Sequence, residues 1–61
     1  MAFERGQHVL AINVCDASMS FGGEVILSDN EDVIVRLDDG YTLACFDPET
    51  GLSQSGEYFI Q

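Results

Sequence analysis

The sequence predicts a small all-β protein, and three observations support this. Turn-forming residues divide the 61 residues into short apolar segments, none of which has the length and period of a helix. Several segments are rich in β-branched residues, and an Asp-Gly pair separates two of them. Apolar residues make up 46% of the chain, whereas disordered acidic segments are poor in them. We expect one domain over residues 1–61, near the lower size limit for independent folding.

The first two strands are predicted on either side of a polar loop. The first covers His8–Val14, begins after Gly6 and ends before the small, polar residues 16–20. The second covers Glu24–Leu27 and follows a Gly-Gly pair, which permits a bulge or a bent strand entry. Polar residues 28–31 then turn the chain.

The third and fourth strands are predicted to form a hairpin. Asp32–Leu37 is the clearest strand, and the returning strand is Tyr41–Phe46. Asp39-Gly40 lies between them and favours a tight turn, because glycine accepts a positive φ. Pro48 marks a further turn, and Glu57–Ile60 is the fifth strand.

Five short strands of this kind predict a small, strongly bent antiparallel barrel. Three motifs carry a resemblance: Gly-x-x-Val-x-Ala over Gly6–Ala11, Gly-x-Val over Gly23–Val25, and Val-x-Leu-Asp-Asp-Gly over Val35–Gly40. In this order they resemble the small SH3-like barrels of the Tudor and KOW types, over roughly residues 6–46.

The resemblance implies which side chains face inward. The inward set is Val9, Ala11, Val25, Leu27, Val33, Val35 and Leu37, while Arg36 points outward. The other face then carries too many aliphatic side chains for a solvated monomer, so either the register slips at a bulge or another chain covers this face. We expect a homodimer whose interface includes Leu10, Ile12, Ile26 and Ile34.

The charge is strongly unbalanced. The chain has eleven carboxylate side chains and only two basic ones, Arg5 and Arg36, which gives a net charge of −9. This field repels nucleic acids and anionic lipids, so we expect a basic protein partner and no direct contact with nucleic acid or membrane. No apolar run approaches the ~20 residues that span a bilayer. Cys15 and Cys45 would allow one disulfide, but we expect reduced thiols in a cytoplasmic protein.

Cofactor, metal and cage sites have little support in the residue pattern. A methyl-lysine cage needs several converging aromatic rings, and no aromatic pair here has a spacing that builds one. We expect Phe46 and Phe59 in the core, with Tyr41 and Tyr58 at its rim. His8 and the two cysteines lack a zinc-binding spacing, and the acidic turns lack the EF-hand pattern. We therefore expect no cofactor and no metal.

An enzyme is one alternative. Type II dihydrofolate reductases are SH3-like chains of similar size that build an active site at the centre of a tetramer. Their Val-Gln-Ile-Tyr signature is absent from this sequence, and the negative field is unfavourable for cofactor phosphates. We therefore expect a protein that is not an enzyme.

The acidic turns remain as the candidate binding surface. Their carboxylates are Asp29, Glu31, Asp32, Asp38, Asp39, Asp47 and Glu49. The turns before and after the third strand lie about 15 to 20 Å apart, from a rise of ~3.3 Å per residue. We expect a non-catalytic interaction module. An alternative is a DNA-mimic inhibitor of a nucleic-acid-binding host protein, similar in size and charge to small acidic proteins of phages and mobile elements. Another is that the charges only maintain solubility.

Overall fold

Five antiparallel strands form a strongly curled half-barrel in the computed structural model, which describes residues 3–61. The strands are β1 (His8–Asn13), β2 (Ser20–Ser28), β3 (Val33–Leu37), β4 (Leu43–Phe46) and β5 (Tyr58–Ile60). They form one sheet in the order β4-β3-β2-β1-β5. The predicted all-β class with five strongly bent antiparallel strands is confirmed, and the half-barrel is consistent with a small SH3-like barrel. Within residues 3–61, no helix is long and apolar enough to cross a membrane.

The two edge strands of the sheet are joined at one end by a short segment between them. The Asp47 amide donates to the Leu52 carbonyl at 2.8 Å, and the Ser53 amide donates to the Tyr58 carbonyl at 2.8 Å. Residues 52 and 53 thus bridge Phe46 of β4 and Phe59 of β5. These hydrogen bonds close only part of the gap between the edge strands β4 and β5, which we call the seam.

The core lies on the concave face of the curled sheet. It consists of Phe3, Val9, Ala11, Val25, Val33, Val35, Phe46 and Ile60. Leu37 packs against it while partly buried, so the inward prediction is confirmed at every position except Leu27. Phe3 joins the core because the Ser28 hydroxyl donates to its carbonyl at 2.6 Å, which fixes the entering chain against β2.

Strand β2 corrects the prediction in two ways. It begins at Ser20, so the Gly22-Gly23 pair lies inside the strand rather than at its entry. Gly23 is required there, because a Cβ would lie 2.5 Å from Cγ1 of Val35. The bulge occurs instead between Val25 and Leu27, where the register with β3 shifts. The extra residue turns Leu27 to the outer face, opposite Ile34, which is why Leu27 is exposed.

The β3–β4 hairpin forms where expected, with a longer connection than predicted. The Leu37 amide donates to the Thr42 carbonyl at 2.8 Å, and β4 begins only at Leu43. Gly40 has a φ of +91°, which confirms the positive φ expected of the turn. Tyr41 lies in the connection rather than in the strand and is 82% exposed.

The aromatic prediction is partly wrong. Phe46 is buried in the core and Tyr58 packs against it, as expected. Phe59 is opposite Ile12 on the outer face of the sheet and is only partly buried. Strand alternation explains this, because its neighbour Ile60 takes the inward position.

Candidate partner-binding surface

Five of the seven predicted binding carboxylates come together at one end of the half-barrel. Val33 of β3 pairs with Phe46 of β4, so the residues flanking them, Asp32 and Asp47, lie side by side. The turn before β3 adds two further carboxylates and the turn after β4 adds one. We call this group the acidic end; its members are Asp29, Glu31, Asp32, Asp47 and Glu49.

A concave cavity of about 340 Å³ opens at the acidic end. Glu31, Asp32 and Asp47 line it together with Phe46, Ser53 and other uncharged residues. No lysine or arginine is among the described lining residues. Among residues 3–61, the carboxylates of this acidic cavity therefore share its lining with no basic side chain.

Two of the aspartates at the acidic end shape the turns that carry the others. Asp29 accepts hydrogen bonds from the amides of Glu31 and Asp32, both at 2.8 Å. Asp47 accepts in the same way from the amides of Glu49 at 2.7 Å and Thr50 at 3.0 Å. Aspartate favours such turns because its short side chain reaches backbone amides two and three residues ahead.

These hydrogen bonds hold both aspartates in the charged form. Donation from the Asp32 amide, and then from the Glu31 amide, lowers the pKa of Asp29. Donation from the Thr50 and Glu49 amides lowers the pKa of Asp47. A carboxylate that accepts backbone hydrogen bonds loses them on protonation, so the ionised form is favoured.

Asp32 also contacts the thiol of Cys45. The Cys45 Sγ donates to Asp32 Oδ1 at 3.7 Å, from the outer face of β4. Burial, and then the negative charge of Asp32, raises the pKa of the Cys45 thiol. The thiol therefore stays protonated near neutral pH, and its character is that of a donor rather than a nucleophile. Both Cys15 and Cys45 are free, so the disulfide alternative is not formed.

Asp38 and Asp39 lie at the opposite end of β3 from the acidic end. Asp39 accepts from the amides of Tyr41 at 3.0 Å and Thr42 at 2.8 Å, and also from the Thr42 hydroxyl. Donation from that hydroxyl, followed by the amides, lowers the pKa of Asp39. Asp38 lies 3.6 Å from Nε2 of His8, the one histidine of the chain.

The four predicted dimer residues do not form one patch. Leu10 and Ile12 lie on the outer face of β1, where Ile12 is opposite Phe59 of β5. Ile34 is on the outer face of β3, in a cross-strand row with Leu27 and Cys45.

A polar row separates these two apolar strips. It contains His8, Glu24 and Arg36, and Arg36 is 3.8 Å from Glu24. Ile26 lies at the bulge and is partly buried.

A second concavity, which the sequence did not indicate, lies on the inner side of the seam. It has a volume of about 210 Å³ and is lined by Ala11, Phe21, Leu37, Ala44, Phe46 and Tyr58, with two serines. Phe21 and Tyr58 form a wall, with ring centroids 5.9 Å apart. We call it the apolar groove. Phe21 lies in the part of β2 that precedes the predicted second strand, and the curl of the sheet brings it next to Tyr58.

Comparisons with known proteins add no family to this description. The chain matches no protein-family model, no curated protein and no solved structure. Among residues 3–61, no three histidine, cysteine or acidic side chains are grouped closely enough to hold a metal ion. The functional proposal therefore depends on the geometry and charge of the two concavities.

Proposed function

We propose that this protein is a non-catalytic interaction module whose acidic end binds a basic segment of a partner protein. The observation that carries the proposal is the acidic cavity, where Glu31, Asp32 and Asp47 converge with no basic side chain in the described lining. Three carboxylates that line one cavity give it a negative potential, which attracts an arginine or lysine of a partner. The net charge of −9 also steers basic partners toward the protein.

The ionisation of the acidic end favours binding over acid–base catalysis. Backbone hydrogen bonds lower the pKa of Asp29 and Asp47, which keeps them charged at neutral pH. A carboxyl group that acts as a general acid needs the opposite shift, a pKa raised toward neutrality by desolvation. Fixed negative charge is what electrostatic recognition of a cation requires.

The arrangement of the carboxylates also favours a compact binding site over a DNA mimic. Five carboxylates converge at one end, whereas Asp38 and Asp39 lie at the far end of β3. The outer face between the two ends carries the apolar row Leu27, Ile34 and Cys45 and the row His8, Glu24 and Arg36, in which Arg36 lies 3.8 Å from Glu24. A mimic of the phosphate backbone would present regularly spaced charge along this face.

Two further properties belong to the proposal. A homodimer would cover the outer aliphatic side chains, among which Leu10 is 45% exposed. A cytoplasmic location suits a chain whose Cys15 and Cys45 are both free.

Binding of a defined basic peptide tests the proposal. We expect the peptide Ser-Arg-Ser-Ala-Ser-Arg-Ser to bind at low ionic strength and to weaken steeply at high ionic strength, since salt screens exposed charges beyond ~10 Å at 0.1 M. The double variant Glu31→Gln/Asp32→Asn should weaken binding, because it removes two charges from the acidic cavity without removing a turn acceptor.

The matched control is Asp38→Asn/Glu57→Gln, which removes two charges from residues that do not line the acidic cavity. Calorimetric titration of the three proteins measures the difference. Equal loss of affinity in both double variants would show that net charge, rather than the acidic end, is responsible.

A further inference from the structure

Small residues create the apolar groove at positions where a barrel of this size would ordinarily be filled. Inward positions on β3 carry the fully buried Val33 and Val35, while inward positions on β1 and β4 carry Ala11 and Ala44. Alanine leaves room that a branched side chain would occupy. The result is an accessible concavity between β4, β5 and the start of β2.

Much of the groove's wall is apolar and open to solvent. Phe21 is 49% exposed, and Leu37, Ala44 and Tyr58 are each only partly buried. An aromatic pair that is partly open to solvent beside such a groove offers apolar area to a partner.

The size of the groove indicates its occupant. Its volume of about 210 Å³ is below the range of roughly 300 to 1,000 Å³ for pockets that enclose a small molecule. One large apolar side chain is a better match for this space.

The apolar groove and the acidic cavity are adjacent. Phe46 and Ser53 line both concavities, and they form the β-bridge that closes one end of the seam. The groove thus shares a wall with the cavity that Asp32 and Asp47 line, where the favourable charge is positive. Charge complementarity thus selects a ligand that is apolar at one point and basic at the next.

We propose that the apolar groove receives one aliphatic or aromatic side chain from the same basic segment that the acidic cavity binds. This inference rests on the proposed function and specifies the partner's chemistry. The segment carries Arg or Lys within one to three residues of a large apolar residue, because side chains two apart on an extended chain are about 7 Å apart on the same face. The apolar side chain supplies affinity by burial, and the basic side chains supply orientation and salt dependence.

The test compares two peptides that differ at one position. Ser-Arg-Ser-Leu-Ser-Arg-Ser should bind at least about tenfold more tightly than its counterpart with Ala at the centre, from burial of the leucine side chain. The variant Ala44→Leu fills the groove from within and should remove this difference. It should leave binding of the Ala peptide unchanged, since no charge is altered.

A measurement on the unaltered protein guards against a folding defect in Ala44→Leu. Methyl resonances of Ala11, Leu37 and Ala44 should shift when the Leu peptide is added, and should shift much less with the Ala peptide. These methyl groups line the groove, so they report its occupancy directly.

The outcomes separate this inference from the proposed function. If both peptides bind equally and with strong salt dependence, the groove is not used, and the acidic module stands alone. If neither peptide binds at low ionic strength, both proposals are wrong. Self-association of the unaltered protein that Ala44→Leu abolishes would assign the groove to a second copy and overturn the inference.

Discussion

The carboxylate of Asp29 accepts a hydrogen bond from the backbone amide of Asp32 at 2.8 Å, so one acidic residue fixes the turn that presents another. Asp29 lies outside the acidic cavity and Asp32 lines it. The carboxylates of this turn therefore have two different roles. Asp29 orders the backbone, and Asp32 contributes charge to the acidic cavity.

The first prediction separates the hydrogen bonds that Asp29 accepts from its negative charge. Asp29→Asn keeps an oxygen that can accept from the Glu31 and Asp32 amides, whereas Asp29→Ala leaves both without a side-chain partner. We expect Asp29→Ala to lower the melting temperature and Asp29→Asn to have a smaller effect. Thermal unfolding followed by circular dichroism measures both, and equal melting temperatures would mean that the hydrogen bonds do not stabilise the turn.

The second prediction concerns stability at acidic pH. The folded-state pKa values of Asp29, Asp39 and Asp47 are lowered, chiefly by hydrogen bonds that the carboxylates accept. A group of this kind contributes stability above its unfolded pKa, and the contribution disappears as the pH falls through the lower folded value. We therefore expect the melting temperature to fall as the pH drops below about 4, the ordinary pKa range of aspartate.

The control is the triple variant with Asn at positions 29, 39 and 47, which keeps the acceptor oxygens but has nothing to protonate there. Its melting temperature should depend less on pH in the same range. Parallel curves for the variant and the unaltered protein would contradict the assignment to these three carboxylates.

The resemblance to SH3-like barrels predicted most of the inward positions, and the failures of the sequence-based prediction have local causes. It placed Val9 and Val35 in the core correctly because β1 and β3 are regular in this region. It misplaced Leu27 because the bulge after Val25 adds one residue without a distinctive sequence signal. The stretch from Ser20 to Gly23 was missed, since two glycines are atypical of a strand interior and are tolerated here by the close approach of β3.

Of the two parts of the candidate site, the acidic end was predictable from the sequence and the apolar groove was not. The residues of the acidic end were identified from composition, and their convergence follows from the pairing of Val33 with Phe46. The apolar groove was not predictable, because Phe21 and Tyr58 come from distant segments and meet only through the curl of the sheet. Two alanines on inward strand positions are the one sequence signal of unfilled space.

The third prediction concerns the outer aliphatic strips and the homodimer. Ile34→Glu charges the strip on β3, and Leu10→Glu charges the strip on β1. Only one of the two strips is expected to form the dimer interface. The variant in that strip should sediment as a monomer or fail to fold, because an unpaired carboxylate in a desolvated interface is strongly unfavourable. The other variant should keep the assembly of the unaltered protein, since the polar row separates the strips.

Sedimentation at micromolar concentration, with circular dichroism as the check on folding, distinguishes these cases. Cys15→Ser/Cys45→Ser should leave the assembly unchanged, because both cysteines are free. A clean monomer for the unaltered protein would refute the homodimer altogether.

The last prediction tests the β3–β4 hairpin, which brings Asp32 beside Asp47 and so builds the acidic end. Gly40 has a φ of +91°, and a Cβ at this position would meet no atom within 4 Å outside its two chain neighbours. The main cost of Gly40→Val is therefore one of backbone conformation, about 1 to 3 kcal/mol for a β-branched residue held at positive φ. Gly40→Asn is the matched control, because asparagine tolerates this region far better. Denaturant unfolding should give a large loss of stability for the valine variant and a small loss for the asparagine variant, and equal midpoints would show that the turn tolerates a conformation other than the one described.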